Sequence, residues 1–434
     1  MFRKSKVLWA FMLALALCIG LFPVALATIT TNDKGAIEGG TEANPVKVGI
    51  TKLLRVPSGT AFPKMDFNFD VKAISVDDYP ADDPVSPTNM PAIGAVTISY
   101  DGSETVTPVN NIMTIPNESG DIFDLKGTVW PHAGVYKYEI TENTSTSFQI
   151  DDPIHEGIRY SPAKYTLTVY VQQGDTKLFI YAVGDVTTTP DNAGQTINAK
   201  VDPTPGGGEG QEYSQMIFTN SYVKTNGAPD PNNPDPTKPA ETTLSVGKTI
   251  SGPFASAEEY FQYTLTLAVP TILPSTPTIY RAYVVDGSGV INPSLNGTVA
   301  GTDSGGSYIN FPSGSAIHFK LKDGQRLVFV DTPVGTGYTV NESGTTNYTP
   351  SVTIVYNSET PSTSIDGEKH QALSTGDRLV GEKINSADYV NTRDEVTPTG
   401  INLNDLPFIG MIVLAVVAVA GYVVFKSRGR RNYN

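Results

Sequence analysis

The sequence holds a single thiol. Cys18 lies in an apolar stretch, residues 7–26, that follows the basic Arg3, Lys4 and Lys6. Ala25-Leu26-Ala27 fits a signal-peptidase site, so residues 1–27 read as a signal peptide and the exported chain starts at Thr28. That chain has no cysteine, which excludes disulfides, thiolate nucleophiles and sulfur-ligated metals. A secreted protein of small domains commonly needs covalent staples, so their absence calls for another device. Histidine is scarce too: His132, His155, His318 and His370 stand far apart, with no spacing suited to a metal, and no metal or cofactor is expected. Positive charge is in deficit, with 30 basic against 44 acidic residues and a formal net charge of −14. The end segments expected to be removed are net positive, so the mature form is more acidic still. Such a surface argues against nucleic-acid binding. No Ser-His-Asp or phosphate-loop signature is present, which leaves a membrane-anchored enzyme without a candidate site.

Between the two hydrophobic ends no long amphipathic helix can be read. The texture is β from Val46 onward: Tyr165, Leu167, Val169 and Val171 alternate with polar neighbours, as do Phe261, Tyr263, Leu265 and Leu267. Asp323-Gly324, between apolar runs at 317–321 and 327–330, predicts a hairpin turn. Residues 28–44, rich in Thr, Gly and Asn, predict a disordered leader. The Gly-rich 203–210 predicts an exposed loop, and repeated X-Pro steps over 224–242 predict a stiff linker. The class is therefore all-β, with immunoglobulin-like sandwiches over 46–223 and 243–394.

Residues 395–434 close the chain. Residues 406–425 carry no charge and are long enough for a transmembrane helix, which needs about 20 apolar residues. Lys426, Arg428, Arg430 and Arg431 follow and hold that end in the cytoplasm. Just upstream stands Val396-Thr397-Pro398-Thr399-Gly400. Pro-Thr-Gly, an apolar span and a basic tail together resemble the cell-wall sorting signal of Gram-positive surface proteins. That resemblance implies a sortase that cuts after Thr399 and passes its carbonyl to an amine. The usual motif begins Leu-Pro; this one does not.

The two halves also repeat a pattern. The first carries Lys52, then Phe67-Asn68-Phe69, Glu142 at the end of Gly134–Glu142, and Asn220 in Ile217-Phe218-Thr219-Asn220. The second carries Lys248, then Phe261-Gln262-Tyr263, Glu342, and Asn391 in Asp388-Tyr389-Val390-Asn391. Lys, Glu and Asn thus recur in one order. The layout resembles the domains of Gram-positive sortase-assembled shaft pilins, which form Lys–Asn isopeptide bonds without a separate enzyme. The resemblance implies that Lys52 bonds to Asn220 with Glu142 assisting, and Lys248 to Asn391 with Glu342 assisting. The second half departs from it in Tyr-Val-Asn, where Phe-x-Asn is usual, and in Asn341 before Glu342.

These residue types suit that chemistry. Burial favours a neutral lysine amine, which is nucleophilic, and a protonated glutamate, which can polarise the Asn carbonyl and shuttle a proton to the departing ammonia. A rigid core supplies proximity. The product would be a staple that needs no sulfur.

The reading implied is a structural subunit, not an enzyme, of a covalent pilus. It is secreted, held transiently in the plasma membrane as a precursor, and then anchored to the cell wall. Its partners would be a sortase, neighbouring copies of itself, peptidoglycan or a basal pilin, and host surface ligands. The alternative is a singly wall-anchored adhesin or minor pilin. A shaft subunit also needs an acceptor lysine. Tyr213 stands where related pilins carry theirs, which leaves Lys200, beside the Gly-rich loop, as the candidate, with Lys164 and Lys177 open.

Overall fold

A computed structural model describes residues 36–80, 90–153, 155–192, 194–207, 212–225, 234–238, 242–273, 277–359, 362–394 and 406–429. The signal peptide (1–27) and the motif Val396–Gly400 lie outside the described residues.

The fold is almost entirely β. The first sandwich packs a sheet whose central strands are Leu178–Thr189, Lys164–Gln173, Gly134–Glu142 and Met65–Val76 against one ordered Ile112–Glu118, Thr51–Pro57, Ile217–Lys224, Glu156–Arg159. The second packs a large sheet, with Arg326–Phe329, Leu244–Ser251, Ser386–Thr392 and Thr349–Val355 side by side, against one built on Ala316–Leu321, Phe261–Ala268 and Gly337–Glu342. Each sandwich has its own apolar core. The alternation read from the sequence sets which side chains enter it: Tyr165, Leu167, Val169 and Val171 point in, as do Phe261, Tyr263, Leu265 and Leu267.

One topological feature recurs. In each sandwich the entry and exit strands are parallel neighbours: Thr51–Pro57 beside Ile217–Lys224, and Leu244–Ser251 beside Ser386–Thr392. Their other neighbours in these sheets pair antiparallel, so the entry and exit strands of each domain are brought together by closure of the fold.

Two expectations are corrected. Residues 36–44 are not a free leader: Ile37–Glu38 pairs with Leu178–Thr189 at Val183 and Ala182, and the Glu42 carboxylate caps the 174–177 turn through the N–H groups of Asp175, Thr176 and Lys177. The Asp323-Gly324 turn has the expected positive φ at Gly324 (73°) but closes no hairpin. Ala316–Leu321 pairs with Phe261–Ala268 in one sheet, and Arg326–Phe329 joins the opposite sheet. The turn therefore bridges the two layers, pinned by Lys322 N–H on Gln325 Oε1 and Lys248 N–H on the Gln325 carbonyl.

The sandwiches touch end to end. Glu382 of the second accepts the Ala61 N–H of the first at 2.6 Å and pairs with Lys224 at 3.4 Å. Val334 N–H donates to the Lys224 carbonyl at 2.9 Å. Gly335, at φ 79°, lies against Pro57, where an added Cβ would stand 2.5 Å from the proline ring. The C-terminal helix runs Leu406–Gly429, one turn past the uncharged span into the basic tail, and its Pro407–Ser427 segment is long and apolar enough to cross a membrane.

Candidate functional site

Period-two geometry delivers the six predicted side chains to the two cores. On the first entry strand Lys52, Leu54 and Val56 face inward, and on the exit strand Phe218, Asn220 and Tyr222 do. From the facing sheet, Tyr136, Tyr138 and Ile140 point in, and the same alternation brings in Glu142, whose side chain is fully buried. The second core repeats this with Val246 and Lys248, Ala387, Tyr389 and Asn391, and Tyr338, Val340 and Glu342. The register is identical: Lys52 lies opposite Phe218 and Lys248 opposite Tyr389, so each asparagine stands two residues beyond its lysine's partner. Lys and Asn therefore share a face of one sheet, with Glu across the layer.

In the first site Glu142 Oε1 accepts from Lys52 Nζ and from Asn220 Nδ2, each at 2.8 Å. The Lys52 ammonium lies 4.5 Å from the Phe67 ring centroid and 5.7 Å from that of Phe69. Desolvation in this aromatic box pulls the amine down to about 8, although Glu142 acts in the opposite sense. In the second site Glu342 Oε1 accepts from Lys248 Nζ at 2.7 Å, and Phe261 lies 3.8 Å beneath the amine. Burial lowers Lys248 to about 8 and raises the Glu342 carboxyl above its ordinary range.

The Phe-to-Tyr departure in the second half has a structural account. Tyr389 takes the place of Phe218, and Tyr263, opposite Glu342, takes that of Phe69, opposite Glu142. The corresponding ring pairs sit alike, Phe69–Phe218 at 4.9 Å and Tyr263–Tyr389 at 5.2 Å. Both new hydroxyls have partners: Tyr389 donates to the Val340 carbonyl at 3.0 Å and Tyr263 to Glu342 Oε1 at 2.9 Å.

One partner was not read from the sequence. The Asn220 carbonyl oxygen accepts the backbone N–H of Ser161 at 2.7 Å, so in this geometry the polarising donor is a main-chain amide while Glu142 receives the Asn amide. No side-chain pattern announces a backbone donor. Its only trace is Ser161-Pro162, since a residue before proline is biased to extended backbone. Lys200 lies elsewhere, exposed on a two-residue edge strand opposite Val186; Lys164 and Lys177 are exposed as well.

Residues 48–223 match the Spy0128-like isopeptide containing domain, and residues 242–393 match a domain of unknown function, DUF7601. Over 411 residues the chain is 23% identical to a pilin of Streptococcus pyogenes serotype M1, covering 93% of this chain and 96% of that one. The first sandwich is thus similar to an isopeptide-containing domain, and the whole chain to a pilin. The major pilin of S. pyogenes, 19% identical, covers 81% of this chain and all of its own length with a TM-score of 0.31. The major pilin T3.2 of the same species is 20% identical, with 83% of this chain and all of its own covered and a TM-score of 0.29.

Proposed function

We propose that this protein is a pilin, the shaft subunit of a covalently assembled surface pilus, held internally by Lys52–Asn220 and Lys248–Asn391 isopeptide bonds. The observation that carries this reading is the twofold recurrence of a buried Lys–Glu–Asn cluster at one register, joining entry and exit strands. A lysine and a carboxylate are rarely so fully buried unless paired, and here the acid touches the amine in both sites and the amide in the first.

The reaction needs no outside reagent. The neutral lysine Nζ attacks the Asn Cγ, the new C–N bond replaces the bond to Nδ2, and ammonia leaves. The glutamate takes the surplus proton from the amine and returns one to the departing nitrogen. Because the core holds the groups in contact, the step is effectively unimolecular.

Assembly is the second half of the proposal. A sortase cuts between Thr399 and Gly400, while the 407–427 helix holds the precursor at the membrane, and joins the Thr399 carbonyl to Lys200 of another copy. The last subunit is transferred to peptidoglycan or a basal pilin, which makes the protein cell-wall anchored; any host ligand would meet the exposed shaft. Lys200 meets the basic demand on an acceptor, an exposed amine, on an edge strand that a sortase acyl-enzyme can approach. A blot of wall extracts tests this. Wild type should give a ladder, and Lys200→Arg should give single subunits that keep both internal bonds. A normal ladder from the variant moves the role to Lys164 or Lys177. A single wild-type band favours the wall-anchored adhesin.

A further inference from the structure

The two sites differ in what meets the asparagine carbonyl. In the first, Ser161 N–H donates to Asn220 Oδ1 at 2.7 Å; in the second, Asn391 Oδ1 is buried without a hydrogen-bond partner among the described residues. As the lysine attacks, negative charge grows on that oxygen, and a preset donor there stabilises the transition state more than the ground state.

What presets Ser161 is Asp191. This buried side chain accepts the Ser161 hydroxyl at 2.5 Å and, through the same Oδ1, the Thr219 N–H at 2.9 Å. Thr219 precedes Asn220, so one carboxylate fixes both the amide donor and the strand that carries the electrophile. Ser161 Oγ in turn accepts the Ala163 N–H at 3.1 Å, which sets the loop's turn around Pro162. The neighbouring Asn192 reinforces the clamp, its Nδ2 donating to the carbonyls of Tyr160 and Thr219, each at 3.0 Å. Asp191 also contributes a favourable Coulombic interaction with the Lys52 ammonium.

We infer that the first site contains an oxyanion donor, the Ser161 backbone N–H, and that Asp191 is the residue that positions it. This rests on the isopeptide reading above. In the step itself the Lys52 Nζ–Asn220 Cγ bond forms, the Cγ–Nδ2 bond breaks, and ammonia carries away the proton relayed by Glu142. During that exchange Oδ1 holds the transient charge against Ser161 N–H. The second site, without such a donor, closes more slowly.

The test follows both bonds in one molecule. The full-length chain, recovered unfolded and refolded into detergent, is quenched at intervals, and the two cross-linked peptides are quantified across a pH series. Asp191→Ala and Ser161→Ala should slow the first bond, by up to about 100- to 1,000-fold where the donor is lost, and leave the second at its wild-type rate. Asp191→Asn keeps an oxygen that accepts both hydrogen bonds, so it should stay within a few-fold of wild type. Removing the charge should nevertheless shift its rate–pH midpoint to lower pH, a change that a purely structural role would not produce. Wild-type first-bond rates in both alanine variants overturn the proposal. So does equal slowing of the two bonds, which marks a general folding defect. A wild-type chain that never forms the first bond removes the isopeptide reading itself.

Discussion

At the scale of single residues, burial does the chemical work. Lys52 and Lys248 would be ordinary ammonium groups at the surface; among aromatic rings each falls to about 8, so a usable fraction is neutral near physiological pH. Asp185 shows the same force without a function to absorb it. It is buried on the inner face of the first sandwich, and desolvation raises it to about 8 against the lowering effect of the Val186 backbone N–H. Because its folded value lies above the unfolded one of 3.8, its contribution to stability is complete below about pH 4 and is lost as pH rises through 8. Asp185→Asn should therefore raise the melting temperature at pH 8 and give no gain at pH 3. Equal shifts at both pH values would show that the carboxyl does not titrate as argued. The six residues proposed for the cross-links stood out in the sequence because their order repeats and their types suit the chemistry, and the fold gathers them in two buried clusters. Ser161 and Asp191 were not, since a backbone donor and its tether are brought together only by the fold.

At the scale of elements, period-two alternation was readable wherever one face is buried, and it placed Tyr165–Val171 and Phe261–Leu267 correctly. Pairing was less legible. Asp323-Gly324 has the turn residues of a hairpin, yet its flanking strands enter different sheets, because the core between the layers draws the second run across. The leader was misjudged for a related reason: a two-residue strand and a single Glu42 cap are too short to leave a periodic signal. The parallel placement of entry and exit strands would give the proposed cross-link its mechanical meaning. A pull on the two ends of the first domain would pass from Lys52 directly to Asn220 and bypass everything folded between them. Lys52→Ala should accordingly lower the melting temperature and admit protease, since a link of this kind restricts the unfolded chain much as a disulfide does, by about 2–4 kcal/mol. An unchanged melting temperature would contradict the presence of a bond in the wild-type protein.

At the scale of the whole molecule, two sandwiches meet through Glu382, Lys224 and the glycine at 335, and a terminal helix follows. The sequence announced a linker rich in X-Pro steps; it did not announce that Glu382 reaches Ala61 across the junction. Glu382→Ala should leave each domain's stability within about 1 kcal/mol, because the pair is partly exposed. It should broaden the distribution of interdomain distances in scattering or spin-label measurements, and an unaltered distribution would assign the rigidity to Gly335 and Pro57 instead. The central claim is covalent, and mass decides it. The intact chain should weigh two ammonia molecules less than its sequence, with one restored by Lys52→Ala or Asn220→Ala and the other by Lys248→Ala or Asn391→Ala. A mass equal to the unmodified sequence would contradict the account.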